Sequence, residues 1–339
     1  MRARWRAPTG LHVPSPQLPV EGDLPSLDGA TGWLNSEPLT PAGLRGKVAV
    51  VDFWTYTCIN WLRQLPYLRA WAGQYARQGL VVIGVHTPEF SFEHNPDNVR
   101  RAVQEMGITY PVATDNNYAV WQAFGNYYWP ALYVADAHGR IRHHHFGEGE
   151  YGQSEMVIQQ LLAEAGSTGA GTELAAVDAR GLEAPADWAS LRSPENYTGS
   201  TRTENFASPG GPAPGKPHAY AVPPRLGPNQ RALSGEWTMG DEAATLNAAS
   251  GQIVCRFHAR DLNLVMGPAA PATPARFRVL SDGQPPGEGH GADVDGDGNG
   301  TLVQQRVYQL IRQPGPVTDR TFEITFLDPS AQAYCFIFG

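Results

Sequence analysis

Two almost unbroken apolar runs, Val48-Ala49-Val50-Val51-Asp52-Phe53 and Leu80-Val81-Val82-Ile83-Gly84-Val85, bracket a segment from about 58 to 78 whose apolar residues recur at helical spacing. Runs so short and so continuously apolar read as strands buried on both faces, and two of them joined through a helix pair in parallel within one sheet. Around this β-α-β unit, helix patterns at about 97–106, 118–124 and 154–165 alternate with extended pieces at 110–113, 131–135 and 141–146. Alternation of this kind predicts a layered α/β domain over 24–166. Residues 1–23 are Pro-rich and without periodicity, which predicts an extended N-terminal arm that carries no chemistry.

Patterning breaks at Gly166-Ser167-Thr168-Gly169-Ala170-Gly171-Thr172, and 167–195 reads as a linker. Beyond it, 196–339 switches to short strand-like runs at 251–258, 262–266, 275–280, 300–310, 321–326 and 333–338. Turn residues separate them, and the chain's 37 Gly and 29 Pro suit such an organisation. That half predicts an all-β jelly-roll or sandwich, with Trp237 and Tyr308 as core candidates. Asp293-Val294-Asp295-Gly296-Asp297-Gly298-Asn299-Gly300 begins like a calcium loop. Its twelfth position is Gln304 where a bidentate Glu is required, so a hairpin turn is expected and no calcium is assigned.

A net charge of −8 removes the electrostatic basis for binding nucleic acid or an anionic membrane. No run approaches the roughly 20 apolar residues of a spanning helix, and the basic Met1-Arg2-Ala3-Arg4-Trp5-Arg6 is not followed by the apolar stretch of a secretory signal. A cytoplasmic chain is expected. Of the three cysteines, Cys255 and Cys335 lie in strand patterns, where a buried inert thiol or a bridge between the two is expected. Cys58 falls at the start of the first helix, where unpaired N–H groups and the helix dipole favour an anion. Thiolates so placed have pKa values lowered toward about 3.5–7.5.

The segment Phe53-Trp54-Thr55-Tyr56-Thr57-Cys58-Ile59-Asn60-Trp61-Leu62-Arg63-Gln64-Leu65-Pro66 resembles the active-site turn of the thioredoxin superfamily, most closely the TlpA-like domain of DipZ-type proteins. His86-Thr87-Pro88-Glu89-Phe90, Glu93-His94, Asn98-Val99, Trp129-Pro130-Ala131-Leu132 and Phe146-Gly147-Glu148-Gly149 extend the likeness. Asn205-Phe206-Ala207-Ser208, Leu233-Ser234-Gly235-Glu236-Trp237 and Val265-Met266-Gly267-Pro268 resemble the β-domain appended to that group. The resemblance implies a thioredoxin fold, a central mixed sheet flanked by helices, followed by a β-sandwich similar in outline to carbohydrate-binding modules. It implies Cys58 as nucleophile, a cis-proline loop at Trp129-Pro130 facing it, and a collar of Trp54, Trp61 and Trp129 around the sulfur. Two features depart from the group: no electron-relaying transmembrane domain is written in the sequence, and Trp61 stands where the second active-site cysteine belongs. Thr55, three residues before Cys58, resembles the Thr-x-x-Cys of peroxiredoxins, although Val51 occupies the place of that motif's proline.

The expected function is a monothiol oxidoreductase without a cofactor. Cys58 attacks a disulfide or peroxide and is regenerated by an external thiol, with Trp54, Thr55, Thr57, Trp61, Glu89, Trp129 and Pro130 shaping the groove. The β-domain shields the site, binds a partner or supports a homodimer. Two alternatives stand beside it: a redox-inactive binding module, and a copper-type Cys/His site drawing on Cys58 with His86 at a strand end, His94 in the next loop, and His143 and His145 on one face of a later strand.

Overall fold

The computed structural model describes residues 17–169, 173–269 and 273–339. Every side chain of β3 (Val48–Trp54) is buried, as a continuously apolar strand requires at the centre of a sheet covered on both faces. β4 (Leu80–His86) lies parallel to it, from Val48 opposite Leu80 to Trp54 opposite His86, and β6 (Ala131–Ala135) lies antiparallel on its other side. With β5 (Val112–Thr114), β2 (Gly32–Leu34), β7 (Arg140–Phe146) and β1 (Gly22–Asp23), the order is β1-β7-β6-β3-β4-β5-β2, a mixed sheet. Alternation along β3 sends Val48, Val50 and Trp54 toward α1 (Ile59–Tyr75) and α4 (Tyr151–Glu164), and Ala49, Val51 and Phe53 toward Leu24, Leu27 and Leu44 on the opposite face. α2 (Pro96–Glu105) and α3 (Ala119–Ala123) complete the layers of a thioredoxin fold.

Residues 17–23, expected as the end of an extended arm, join this sheet. Gly22–Asp23 pairs with β7, the Arg142 guanidinium is held by the Leu18 and Pro19 carbonyls, and the Glu21 carboxylate lies 2.7 Å from the His144 ring. An edge strand of two residues has too little length to show a period. The rest of the arm lies outside the described residues.

The second domain is built from β8 (Asn196–Tyr197), β9 (Pro217–Tyr220), β10 (Arg231–Met239), β11 (Ala244–Leu246), β12 (Gly251–Phe257), β13 (Asp261–Pro268), β14 (Ala275–Ser281), β15 (Asn299–Leu302), β16 (Arg306–Arg312), β17 (Arg320–Phe326) and β18 (Ala331–Phe338). Its two layers are β15-β14-β17-β12 and β11-β18-β13-β16, and β10 belongs to both. Arg231 to Ser234 pair with β12, whereas Gly235 to Thr238 pair with β9. The strand turns the corner at Gly235, whose φ of 92° disfavours any side chain and whose Cβ would crowd Gly251. Trp237, Tyr308, Phe277 and Phe326 fill the space between the layers. The run 300–310, read as one strand, is two: the Tyr308 hydroxyl accepts from the Val303 N–H and donates to the Gln304 carbonyl, pinning a turn.

The halves do not stand apart. One apolar cluster joins Tyr56, Cys58, Leu62 and Phe90 of the first domain to Val265, Val307, Tyr334, Cys335 and Ile337 of the second. Within the segment read as a linker, a 3-10 turn, Gly181–Glu183, lies against α1, and Glu183 pairs with Arg69 at 2.7 Å. No helix among the described residues is long and apolar enough to cross a membrane.

Candidate functional site

Cys58 is the N-cap of α1, with extended φ/ψ of −78° and 109° and no side-chain cap. The N–H groups of Asn60 and Trp61 face its sulfur, and the thiol donates to the Trp129 carbonyl at 3.8 Å. The Trp129–Pro130 bond is cis. The nucleophile candidate and the proline loop are therefore brought together. The charge state is the reverse of the sequence expectation: Cys58 is 9% exposed, and burial pushes its thiol well above the usual range. The carboxylates of Glu195 and Glu89 push in the same direction. The two N–H groups oppose them without prevailing, because a thiolate deprived of water loses more than a helix start returns.

Trp61 does not form a lid on the sulfur. It is fully buried, stacks on Trp54 with ring centroids 4.2 Å apart, and donates from Nε1 to Asp52 Oδ2 at 2.7 Å. Gln64 donates to the other Asp52 oxygen at 2.6 Å. Burial still holds the Asp52 carboxyl well above its usual range. Position 61 thus belongs to a polar pillar under the site rather than to a collar over it. Asp52 was not singled out from sequence, although one carboxylate inside an apolar central strand is a signal in itself, since such a group needs partners.

Glu93 was also underrated. Its Oε2 accepts the N–H groups of Glu89 and Phe90 at 2.6 and 2.9 Å, and its Oε1 accepts the Thr57 hydroxyl at 2.6 Å. This ties the turn carrying Cys58 to the loop after β4. Burial raises the Glu93 carboxyl to about 7, against the Thr55 and Thr57 hydroxyls. His86 is buried between Trp54 and Tyr56, at 4.9 and 5.7 Å, and burial lowers it to about 3, so it is neutral. His94 is exposed, His143 lies 3.1 Å from the Ser154 hydroxyl, and His145 is on the same face of β7 as His143. Among the described residues no three His, Cys, Asp or Glu side chains converge as a metal-binding set.

Glu89, expected in the groove, reaches the second domain instead. Its Oε1 accepts from Arg202 at 2.6 Å and lies 2.9 Å from the Tyr197 hydroxyl. That hydroxyl is also 2.9 Å from Glu195 Oε2, and the Arg202 guanidinium sits 3.3 Å over the Tyr197 ring. Phe90 and Phe92 pack on Tyr334 at 5.2 and 4.9 Å, and Glu242 accepts the Ser91 N–H at 3.0 Å. Beneath them, buried Arg63 pairs with Glu148 at 2.7 Å and donates to the Phe338 carbonyl at 3.4 Å. A cleft of about 450 Å³ opens nearby between Tyr56, Leu62, Arg69, Met106, Leu182 and Val307, without Cys58 on its wall. On the solvent side of the proline loop, Tyr127 and Tyr128 are exposed, Tyr128 5.0 Å from the Phe146 ring. Cys255 lies inside the sandwich and Cys335 on its outer face, both unpaired, so the bridge considered between them is not formed.

Comparison with known proteins assigns both halves. Residues 23–144 match the AhpC/TSA family and residues 193–339 the family described as thioredoxin like C-terminal domain. Protein DipZ of Mycobacterium bovis is 39% identical over 272 residues, 79% of this chain but 38% of that protein, so the chain spans well under half of that relative's length. The thiol-disulfide oxidoreductase YkuV of Bacillus subtilis is 30% identical over 141 residues, 42% of this chain and 95% of YkuV. Among solved structures, a thioredoxin-like protein in the oxidized form is 31% identical with a TM-score of 0.39, over 42% of this chain and 96% of that one.

Proposed function

Because this chain belongs to the thioredoxin-like family of thiol-disulfide oxidoreductases, we propose that it works through a monothiol active-site turn, with Cys58 as the turn's one cysteine and the nucleophile, and with its second domain as a cover over the site. One observation carries the reading: the Cys58 sulfur lies at the first turn of α1, facing two N–H groups and 3.8 Å from the Trp129 carbonyl of the cis-proline loop. When the contacts of Glu89 with Tyr197 and Arg202 open, water returns to the sulfur. The N–H groups of Asn60 and Trp61 then stabilise the thiolate, and the Trp129 carbonyl is free to pair with an extended substrate. The thiolate attacks a disulfide sulfur, forming a mixed disulfide and expelling one substrate thiolate. With a peroxide it attacks one oxygen, the O–O bond breaks, a sulfenic acid forms, and the other oxygen leaves as hydroxide or alkoxide and takes up a proton to become water or an alcohol. An external thiol returns Cys58 to the thiol, which suits the reducing cytoplasm as the compartment.

A redox-inactive binding module is the second reading, favoured by the burial of Cys58 and the upward push on its thiol. Intact-mass analysis after glutathione disulfide or hydrogen peroxide separates the two. The monothiol reading expects modification that begins at Cys58, with one glutathione or one oxygen in the first product, and that is lost in Cys58→Ser. Reactivity no faster than that of a free thiol, or unchanged in Cys58→Ser, supports the binding module.

A further inference from the structure

Position 61 is filled by a core residue, so any second sulfur that this chain itself offers Cys58 comes from elsewhere in the fold. β18 carries one into the same apolar cluster as Cys58. Along this strand Ala333, Phe336 and Phe338 enter the sandwich core, whereas Tyr334, Cys335 and Ile337 face outward into the apolar cluster that contains Cys58. The register makes the alternation possible: Val265 pairs with Cys335 and Met266 with Ala333, which leaves Tyr334 as the inserted residue of a bulge. Cys335 also pairs with Tyr197 of β8, whose hydroxyl touches both Glu89 and Glu195. Those are the carboxylates whose charge bears on Cys58, and Glu195 is the leading charge on each of the two sulfurs. Both thiols are free; Cys58 donates to the Trp129 carbonyl and Cys335 to that of Phe336 at 3.4 Å.

From this arrangement we infer that Cys335 is the resolving thiol for Cys58, so that the second domain supplies across the interface the sulfur that position 61 lacks. The inference rests on Cys58 being the nucleophile. A substrate disulfide accepts the Cys58 thiolate, giving the mixed disulfide and one substrate thiolate. The Cys335 thiolate then attacks the Cys58 sulfur, forming the Cys58–Cys335 bond and releasing the second substrate thiolate. The two protein protons end on the two released thiols, so the substrate gains the two electrons that the protein thiols lose. With a peroxide, the Cys58 sulfenic acid condenses with the Cys335 thiol and water leaves. An external thiol reduces the resulting bond. Closure requires the two Cα atoms to sit within about 4.4–6.8 Å, so its formation reports how closely β18 approaches the start of α1 during turnover. Cys335 is 1% exposed, so external reagents reach it only through Cys58 or through an opened interface.

The test treats the reduced full-length protein with glutathione disulfide and, separately, hydrogen peroxide, then maps peptides without reduction. The expected result is a linked Cys58–Cys335 peptide pair and an intact mass lower by two hydrogens, retained in Cys255→Ala. In Cys335→Ser and Cys335→Ala the Cys58 glutathione adduct or sulfenic acid persists instead. A lasting Cys58 adduct in the unmodified protein with no linked peptide overturns the inference and leaves the nucleophile in place. No modification of Cys58 in any form overturns both, and the wild-type peptide map decides the matter even if a Cys335 variant fails to fold.

Discussion

Glu93→Gln isolates the pH dependence built into the turn beneath Cys58. The Glu93 carboxyl is raised from 4.5 to about 7, mainly by burial. Its folded value lies above its unfolded one, so between these pH values the native chain holds a proton that the unfolded chain has released. Stability from this group is full below about pH 4.5 and is lost as pH rises through 7. A shift of roughly 2.5 units at 1.36 kcal/mol each gives about 3 kcal/mol. Gln preserves the contacts: its carbonyl can accept the Glu89 and Phe90 N–H groups as Oε2 does, and its amide can donate to the Thr57 hydroxyl, which accepts as readily as it donates. Urea denaturation of both proteins from pH 4.5 to 8 cancels the groups they share. The wild type is expected to lose about 3 kcal/mol relative to the variant over that range. A flat difference, or one that grows in the wild type's favour as pH rises, refutes the claim that burial dominates at Glu93.

Trp61→Phe removes the donor to buried Asp52 and trims the ring stacked on Trp54. Losing a hydrogen bond to a buried carboxylate and some packing should cost about 3 kcal/mol, read as a lower melting temperature; an unchanged melt refutes the pillar. The effect should shrink when Asp52→Asn is already present, because the pair shares one interaction. Tyr197→Phe removes the hydroxyl lying between Glu89 and Glu195, and a lost contact of about 1.4 kcal/mol corresponds to roughly tenfold faster Cys58 alkylation by iodoacetamide. An unaltered rate shows that this cluster does not hold the cover closed.

The elements that position the site are local enough to be read from the chain. β3, β4 and β6 are marked by apolar runs, α1 by its periodicity after Cys58, and the proline loop by its place before Ala131. Electrostatics at the sulfur is not local. A helix start alone predicts a lowered thiol, and the outcome is reversed first by burial and then by the charges of Glu195, from the second domain, and Glu89, from the loop after β4, groups far from Cys58 in sequence. The same separation in sequence conceals the meaning of Trp61. Read in its own turn, it is the absence of a cysteine; read with Asp52 on the neighbouring strand, it is the donor that a buried carboxylate requires. Restoring cysteine there removes that donor and the Trp54 stack together. In this fold, then, a second thiol carried on another element keeps the polar pillar intact, whereas one at position 61 replaces it.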